Sequence, residues 1–266
     1  MMAVKRKRLA LSVSNIGFFE ADDERVWSLL QKLGYTGLEI APTRLVGMRP
    51  YEKRDAACEK ARMLYERYGL RISSMQSIWY GKSGNIFEPK DAQHLWEYTK
   101  KAVDFAAALQ CSNLVFGNPR QRKMRCGETQ EQALGFFADI AAYACQWGTR
   151  IALEANPEVY GTNFCNHSRE AFDFASKVPG LKVNYDLGTL LTNEESLDVL
   201  FEHLDQVNHI HISEPELAPI HVRQVHHCLA QGLYKAGYTG FVSVEMKTQE
   251  FSVVERVLNE VAEVFA

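Results

Sequence analysis

Two hydrophobic patterns alternate along the chain. Short runs rich in β-branched residues, such as "LALSVS" (9–14), "RIALEANP" (150–157) and "FVSVEMK" (241–247), are each followed by a longer stretch with apolar residues every three or four positions. The first pattern predicts buried strands, the second amphipathic helices. Strands are expected at 9–14, 36–42, 71–77, 113–119, 150–157, 181–188, 207–213 and 241–247. Helices are expected at 22–35, 51–70, 91–110, 129–148, 168–179, 195–205, 222–238 and 252–266. Asp22 or Asp23 is placed to cap the first helix. Several helices run into a glycine before the next strand, as in "LGYTGLEI" and "AGYTGFVSVE", the common left-handed stop.

Eight strand–helix units of roughly 25–40 residues have the size of βα repeats. No Pro/Gly/Ser-rich linker divides them, so one domain over 1–266 is expected. Eight such units in one domain predict an α/β protein of the (β/α)8 TIM-barrel class. The competing doubly wound open sheet usually carries a glycine-rich turn after its first strand; here that turn is "SNIGFFEADD", with one glycine.

Composition narrows the partners. The 266 residues are 46% hydrophobic and 24% charged, as in soluble globular proteins, and the net charge is −3. Such a balance offers no general attraction to nucleic acid. The basic block "KRKR" (5–8) reads as a solvated lead-in to the first strand, with no signal-peptide pattern behind it. No window approaches the roughly 18 apolar residues of a spanning helix, so no membrane association is expected. Six cysteines without C-x-x-C spacing read as reduced and mostly buried, and the compartment as cytoplasmic.

Barrel active sites lie at the C-terminal ends of strands, where inward residues recur every second position. On the fifth strand that parity turns Glu154 inward; on the sixth, Asn184 and Asp186; on the seventh, His209, His211 and Ser213; on the eighth, Ser243, Glu245 and Lys247. Each group has an ordinary reading. Glu154 could join an ion pair, Asp186 could cap a turn, and a strand histidine could be a packed core group. Four successive strands nevertheless bring a carboxylate or imidazole to one end of the barrel. Three converging carboxylates repel strongly unless they protonate, pair with a cation such as Lys247, or bind a metal. One imidazole with three carboxylates suits Mn²⁺, Co²⁺ or Mg²⁺, with Zn²⁺ a weaker match.

At these residues the chain resembles the xylose isomerase-like TIM barrels, in particular the sugar phosphate isomerase/epimerase superfamily. "LEAN", "NYDLG", "HIHISE" and "SVEMK" match that superfamily's metal-binding strand ends in order. The resemblance implies Glu154, Asp186, His211 and Glu245 as ligands of one divalent ion, and an enzyme, an isomerase or epimerase. The ketose 3-epimerases share the His-x-x-Glu step seen here as His211 to Glu214. They commonly carry a histidine three residues after the Asp, where this chain has Thr189. They also carry an arginine soon after the His-x-x-Glu, where this chain has none before Arg223. Endonuclease IV, of the same fold group, needs three metals and many more histidines.

With an ion bound, the natural chemistry is proton abstraction beside a carbonyl through a cis-enediolate. Glu154 and Glu245, on separate strands, could flank the carbon as acid and base. Returning the proton to the opposite face gives epimerisation, and to the neighbouring carbon isomerisation. Loss of a β-substituent would give a dehydratase or lyase acting on a keto-sugar or keto-inositol. A non-catalytic carbohydrate-binding barrel is the remaining alternative. The expected partner is a sugar or sugar phosphate, and barrels of this type often form homo-oligomers. Further substrate contacts are expected from Glu39, Trp79, Asn118, Arg120, His209, Glu214 and Lys247. Trp79 could stack on a sugar or serve as lid packing. Arg120, with Arg122, Lys123 and Arg125, could hold an anionic substituent or lie in a solvated loop. His209, one pleat deeper, either faces substrate or supports His211.

Overall fold

The computed structural model describes residues 8–265; Lys5, Arg6 and Lys7 of the basic block lie outside them. Eight parallel strands form the centre: β1 (Ala10–Val13), β2 (Gly37–Ile40), β3 (Arg71–Met75), β4 (Leu114–Phe116), β5 (Ile151–Glu154), β6 (Lys182–Asp186), β7 (Val207–Ile212) and β8 (Phe241–Val244). β1 pairs with β8, and the ladder then runs in sequence order down to β2. A single bridge from Ser14 to Glu39, with the Thr36 amide donating to the Leu11 carbonyl at 3.1 Å, nearly closes the circle. This is the expected (β/α)8 TIM barrel.

The outer ring follows from the helical spacing of apolar residues. In Phe251–Phe265, Val254, Val257, Leu258, Val261 and Phe265 are buried, while Glu255 and Arg256 face water. Burying each such side chain contributes about 1.5–3 kcal/mol. A second concentration of apolar packing surrounds β4 and β5. There Phe116, Phe137, Phe164 and Phe174 form a chain of ring contacts 4.7–5.9 Å apart. Gly34 and Gly237 close their helices at φ 82° and 68°, where a side chain would strain the turn. No helix among the described residues is long and apolar enough to cross a membrane.

Three local expectations change. Asp22 and Asp23 make no side-chain cap on the helix Asp23–Leu33; Asp23 instead pairs with Arg44 at 2.7 Å. The helix expected at 195–205 is a short one, Asp198–Glu202, preceded by another at Leu187–Asn193. That earlier helix starts directly at the end of β6 because Asp186 caps it, accepting the Thr189 amide at 2.8 Å. Of the six cysteines only Cys111 and Cys165 are buried, and all six are free.

His226, in the first turn of the helix Gln224–Ala236, is fully buried. Its Nδ1 accepts the Arg223 amide at 3.1 Å, and burial pushes its pKa down to about 4. An unfolded histidine titrates near 6.5. Between those values the unfolded chain binds a proton that the folded chain refuses, so stability falls as pH drops from about 6.5 to about 4. His226→Gln should remove roughly 1–3 kcal/mol of that loss, read from urea midpoints at neutral and acid pH. Parallel curves for the two proteins would contradict it.

Candidate metal centre and active site

Strand tilt explains why residues at different register positions meet. Glu154 pairs across the ladder with Asn184, and Asn184 with His209. Asp186 pairs with His211 two residues further on, and His211 with Ser243, two residues before Glu245. The four groups therefore climb in register from β5 to β8. Tilted strands convert that climb into a common height at the barrel mouth.

His211 is the hub. Its Nδ1 lies 2.9 Å from Glu154 Oε1 and 3.1 Å from Glu245 Oε2. The Asn184 amide, 3.2 Å from that nitrogen, donates to Glu154 Oε1 at 2.7 Å. One donor atom each from Glu154, Asp186, His211 and Glu245 lies within 4.8 Å of all the others. Two ligands at right angles about a cation with bonds near 2.1 Å sit about 3.0 Å apart, close to the spacing of His211 Nδ1 from the two glutamates. This donor set and spacing fit a hard or borderline divalent ion.

The electrostatics point the same way. Burial alone would push His211 down, but Glu245, Glu39 and Glu154 outweigh it and hold the ring well above the ordinary imidazole range. Asp186 is raised by burial and by the neighbouring Glu154. Its oxygens are supported by the Thr189 hydroxyl at 3.0 Å and by the Ser213 hydroxyl. Glu245 Oε1 accepts from Gln76 Nε2 at 2.7 Å. Above the cluster lies a cavity of 260 Å³ lined by Glu154, Asp186, Glu245, Gln76, Asn118, Asn156, Tyr160 and Leu217, among others.

A sequence profile described as xylose isomerase-like TIM barrel matches residues 27–264. The chain belongs to this family. No curated protein matches its sequence. Among solved structures, 3-keto-D-glucoside 4-epimerase from E. coli superimposes with a TM-score of 0.77 at 15% identity, over 97% of this chain and 99% of that one. D-psicose 3-epimerase from Clostridium cellulolyticum H10, solved with D-tagatose, gives 0.75 at 15% identity, over 96% and 97%. An AP endonuclease, family 2, from Brucella melitensis gives 0.75 at 17% identity, over 97% and 100%. At these identities the likeness is one of fold.

Within this xylose isomerase-like barrel, the expected substrate contacts separate by depth. Asn118 does line the cavity. Glu39 and His209, at 0% and 1% exposure, lie beneath the cluster and touch each other and His211. Trp79 does not face a ligand: it is buried against Phe116, and its Nε1 donates to Thr99 Oγ1 at 2.8 Å. Glu214 is turned away from the cavity, both its oxygens held by Arg223 Nη2 at 2.6 Å. Lys247 is exposed and makes no ion pair among the described residues, so it does not neutralise the carboxylates. Arg120 is exposed outside the cavity.

Arg122 departs most from the solvated-loop reading. It is fully buried and remains a cation, its pKa pushed down by burial only to about 10. Its Nη2 donates to the Glu154 carbonyl at 2.7 Å and to Asn156 Oδ1, fixing the end of β5. Asn156 in turn reaches Glu154 Oε2 at 3.5 Å. Gln76, Asn156 and Tyr160 contribute to the site without having been singled out for it; Asn184 is expected only as an inward residue, and Arg122 only as one of a group of loop cations. Alternation along "RISSMQ" could have pointed to Gln76; for Arg122, only the folded loop shows where the guanidinium goes.

Proposed function

We propose that the protein is a divalent-metal-dependent sugar isomerase or epimerase that moves a proton beside a substrate carbonyl. One observation carries the reading: Glu154 and Glu245 reach the same His211 nitrogen from different strands, and both line one cavity. Glu154, Asp186, His211 and Glu245 would hold the ion. When bound, it would supply Lewis-acid stabilisation of negative charge on neighbouring substrate oxygens. Glu154 and Glu245 each keep 12% of the side chain exposed, toward the cavity where a substrate carbon can sit. One carboxylate takes the proton and the other returns one. Asn156, Asn118 and Tyr160 supply hydrogen-bonding groups for sugar hydroxyls, and Leu217 an apolar wall that limits water.

The lining also bears on substrate class. The cavity's charged residues are all acidic, and among the described residues no lysine or arginine lines it. Its 260 Å³ lies below the range of about 300–1,000 Å³ typical of sites for drug-sized ligands. A neutral, unphosphorylated monosaccharide fits these facts better than a sugar phosphate or a nucleic-acid strand. The epimerases of similar fold support the same chemistry. The test is incubation with free ketoses and their phosphates in D₂O with Mn²⁺. Deuterium should enter the carbon next to the carbonyl of a free ketose. Failure to label any of them would defeat the reading, while labelling confined to phosphates would defeat its substrate class.

A further inference from the structure

Beneath the candidate metal centre lies a second group of ligating side chains: Glu39, His209 and His211. His211 belongs to both groups, presenting Nδ1 upward and Nε2 downward. Its Nε2 lies 2.9 Å from Glu39 Oε2 in hydrogen-bonding geometry. His209 Nε2 lies 3.0 Å from the same oxygen but off the hydrogen-bonding direction, and the two rings stand nearly perpendicular. The other Glu39 oxygen, Oε1, faces Gln76 Nε2 at 3.3 Å.

A carboxylate with no exposed surface is costly to bury unless hydrogen-bond donors or positive charge surround it. A carboxylate oxygen can only accept, so the His211 nitrogen facing it must carry the proton. Nδ1 faces the Glu154 and Glu245 carboxylates at 2.9 and 3.1 Å and by the same rule is protonated until a cation takes the proton's place. With Nε2 held as the donor to Glu39, Nδ1 is the nitrogen that gives up its proton to become a ligand. An anionic acceptor behind an imidazole also makes its far nitrogen a stronger donor to a cation. We infer that Glu39 is a positioning residue: it fixes His211 with the proton on Nε2 and so presents Nδ1 as the ligand. Its effect on metal affinity rests on the function proposed above; the hydrogen bond itself does not. The histidine pair then has one reason. Glu39 binds His211, and His209 packs against both, keeping the carboxylate from rotating away.

The test uses the full chain labelled with ¹⁵N, metal-free and with diamagnetic Zn²⁺, and reads the His211 ring by long-range ¹H–¹⁵N correlation. Co²⁺ titration, followed by visible absorption, is run on wild type, Glu39→Gln and Glu39→Asp. The wild-type ring should carry a proton on Nε2 in both samples, and Nδ1 should lose its proton only in the Zn²⁺ sample. Glu39→Gln should weaken Co²⁺ binding about 10–100-fold, and Glu39→Asp, which withdraws the charge by one methylene, should also weaken it. A merely structural role would lower the melting temperature while leaving Co²⁺ affinity unchanged in the folded variants, and that result would overturn the inference. So would an unprotonated Nε2 in the wild type, which decides the matter even where a variant fails to fold. Were the wild type to bind neither ion, the proposed function would fail, and the metal-free ring would still report on Glu39.

Discussion

Glu154→Gln and Glu245→Gln are each expected to lower turnover by about 10²–10⁴-fold, the range for losing a general acid or base. Glutamine keeps the shape of the side chain and can still accept the Asn184 amide that now reaches Glu154 Oε1 at 2.7 Å. Loss of fold is therefore a minor part of the expected effect. Solvent exchange makes the experiment sharper. With one carboxylate gone, full epimerisation should stop in both directions. The epimer whose proton faces the surviving carboxylate should still trade that proton with D₂O. The two variants should thus exchange opposite epimers. His209→Asn, altering a group one layer below, should cost much less. Wild-type rates in either glutamate variant would contradict the two-base scheme.

Removal of divalent ions has the next largest expected effect. Dialysis against a chelator should abolish turnover, with Mn²⁺ or Co²⁺ restoring it. The same ions should raise thermal stability, because a ligand that binds only the folded state adds about 2.7 kcal/mol at one hundred times its Kd. Asp186→Asn should shrink that stabilisation. Asp186 also caps the helix Leu187–Asn193, so the variant's baseline stability should fall as well. The comparison is therefore the ion-induced shift within each protein. A wild-type melting temperature indifferent to every divalent ion tried would contradict the donor set.

How much of this could be read before folding depends on the geometry each residue requires. The alternation of strand and helix patterns specifies the barrel because each unit is local, and inward parity places Glu154, Asp186, His211 and Glu245 on one side of their strands. Parity does not encode depth. Glu39 and Asn118 are both legible as inward candidates, yet Glu39 lies under the centre and Asn118 at its rim. Depth is set by strand tilt and by register shifts, such as those after Leu38 and Val183. Loop residues are hidden further. Whether an arginine in "NPRQRKMR" meets water or a backbone carbonyl depends on how the loop folds back. Arg122 turns inward onto the C-terminal end of β5, while Arg120, two positions earlier, stays outside. Glu214 likewise follows a strand as a candidate pocket residue, but Arg223 turns it to securing its own loop.

The central claim is that one cation is held where β5 to β8 end. Diffraction from crystals grown with Mn²⁺, using data collected at the manganese absorption edge, tests it most directly. The expected result is a single anomalous peak about 2.0–2.3 Å from Glu154, Asp186, His211 Nδ1 and Glu245. The contrary result is a map in which those side chains enclose no anomalous density and contact one another only through hydrogen bonds.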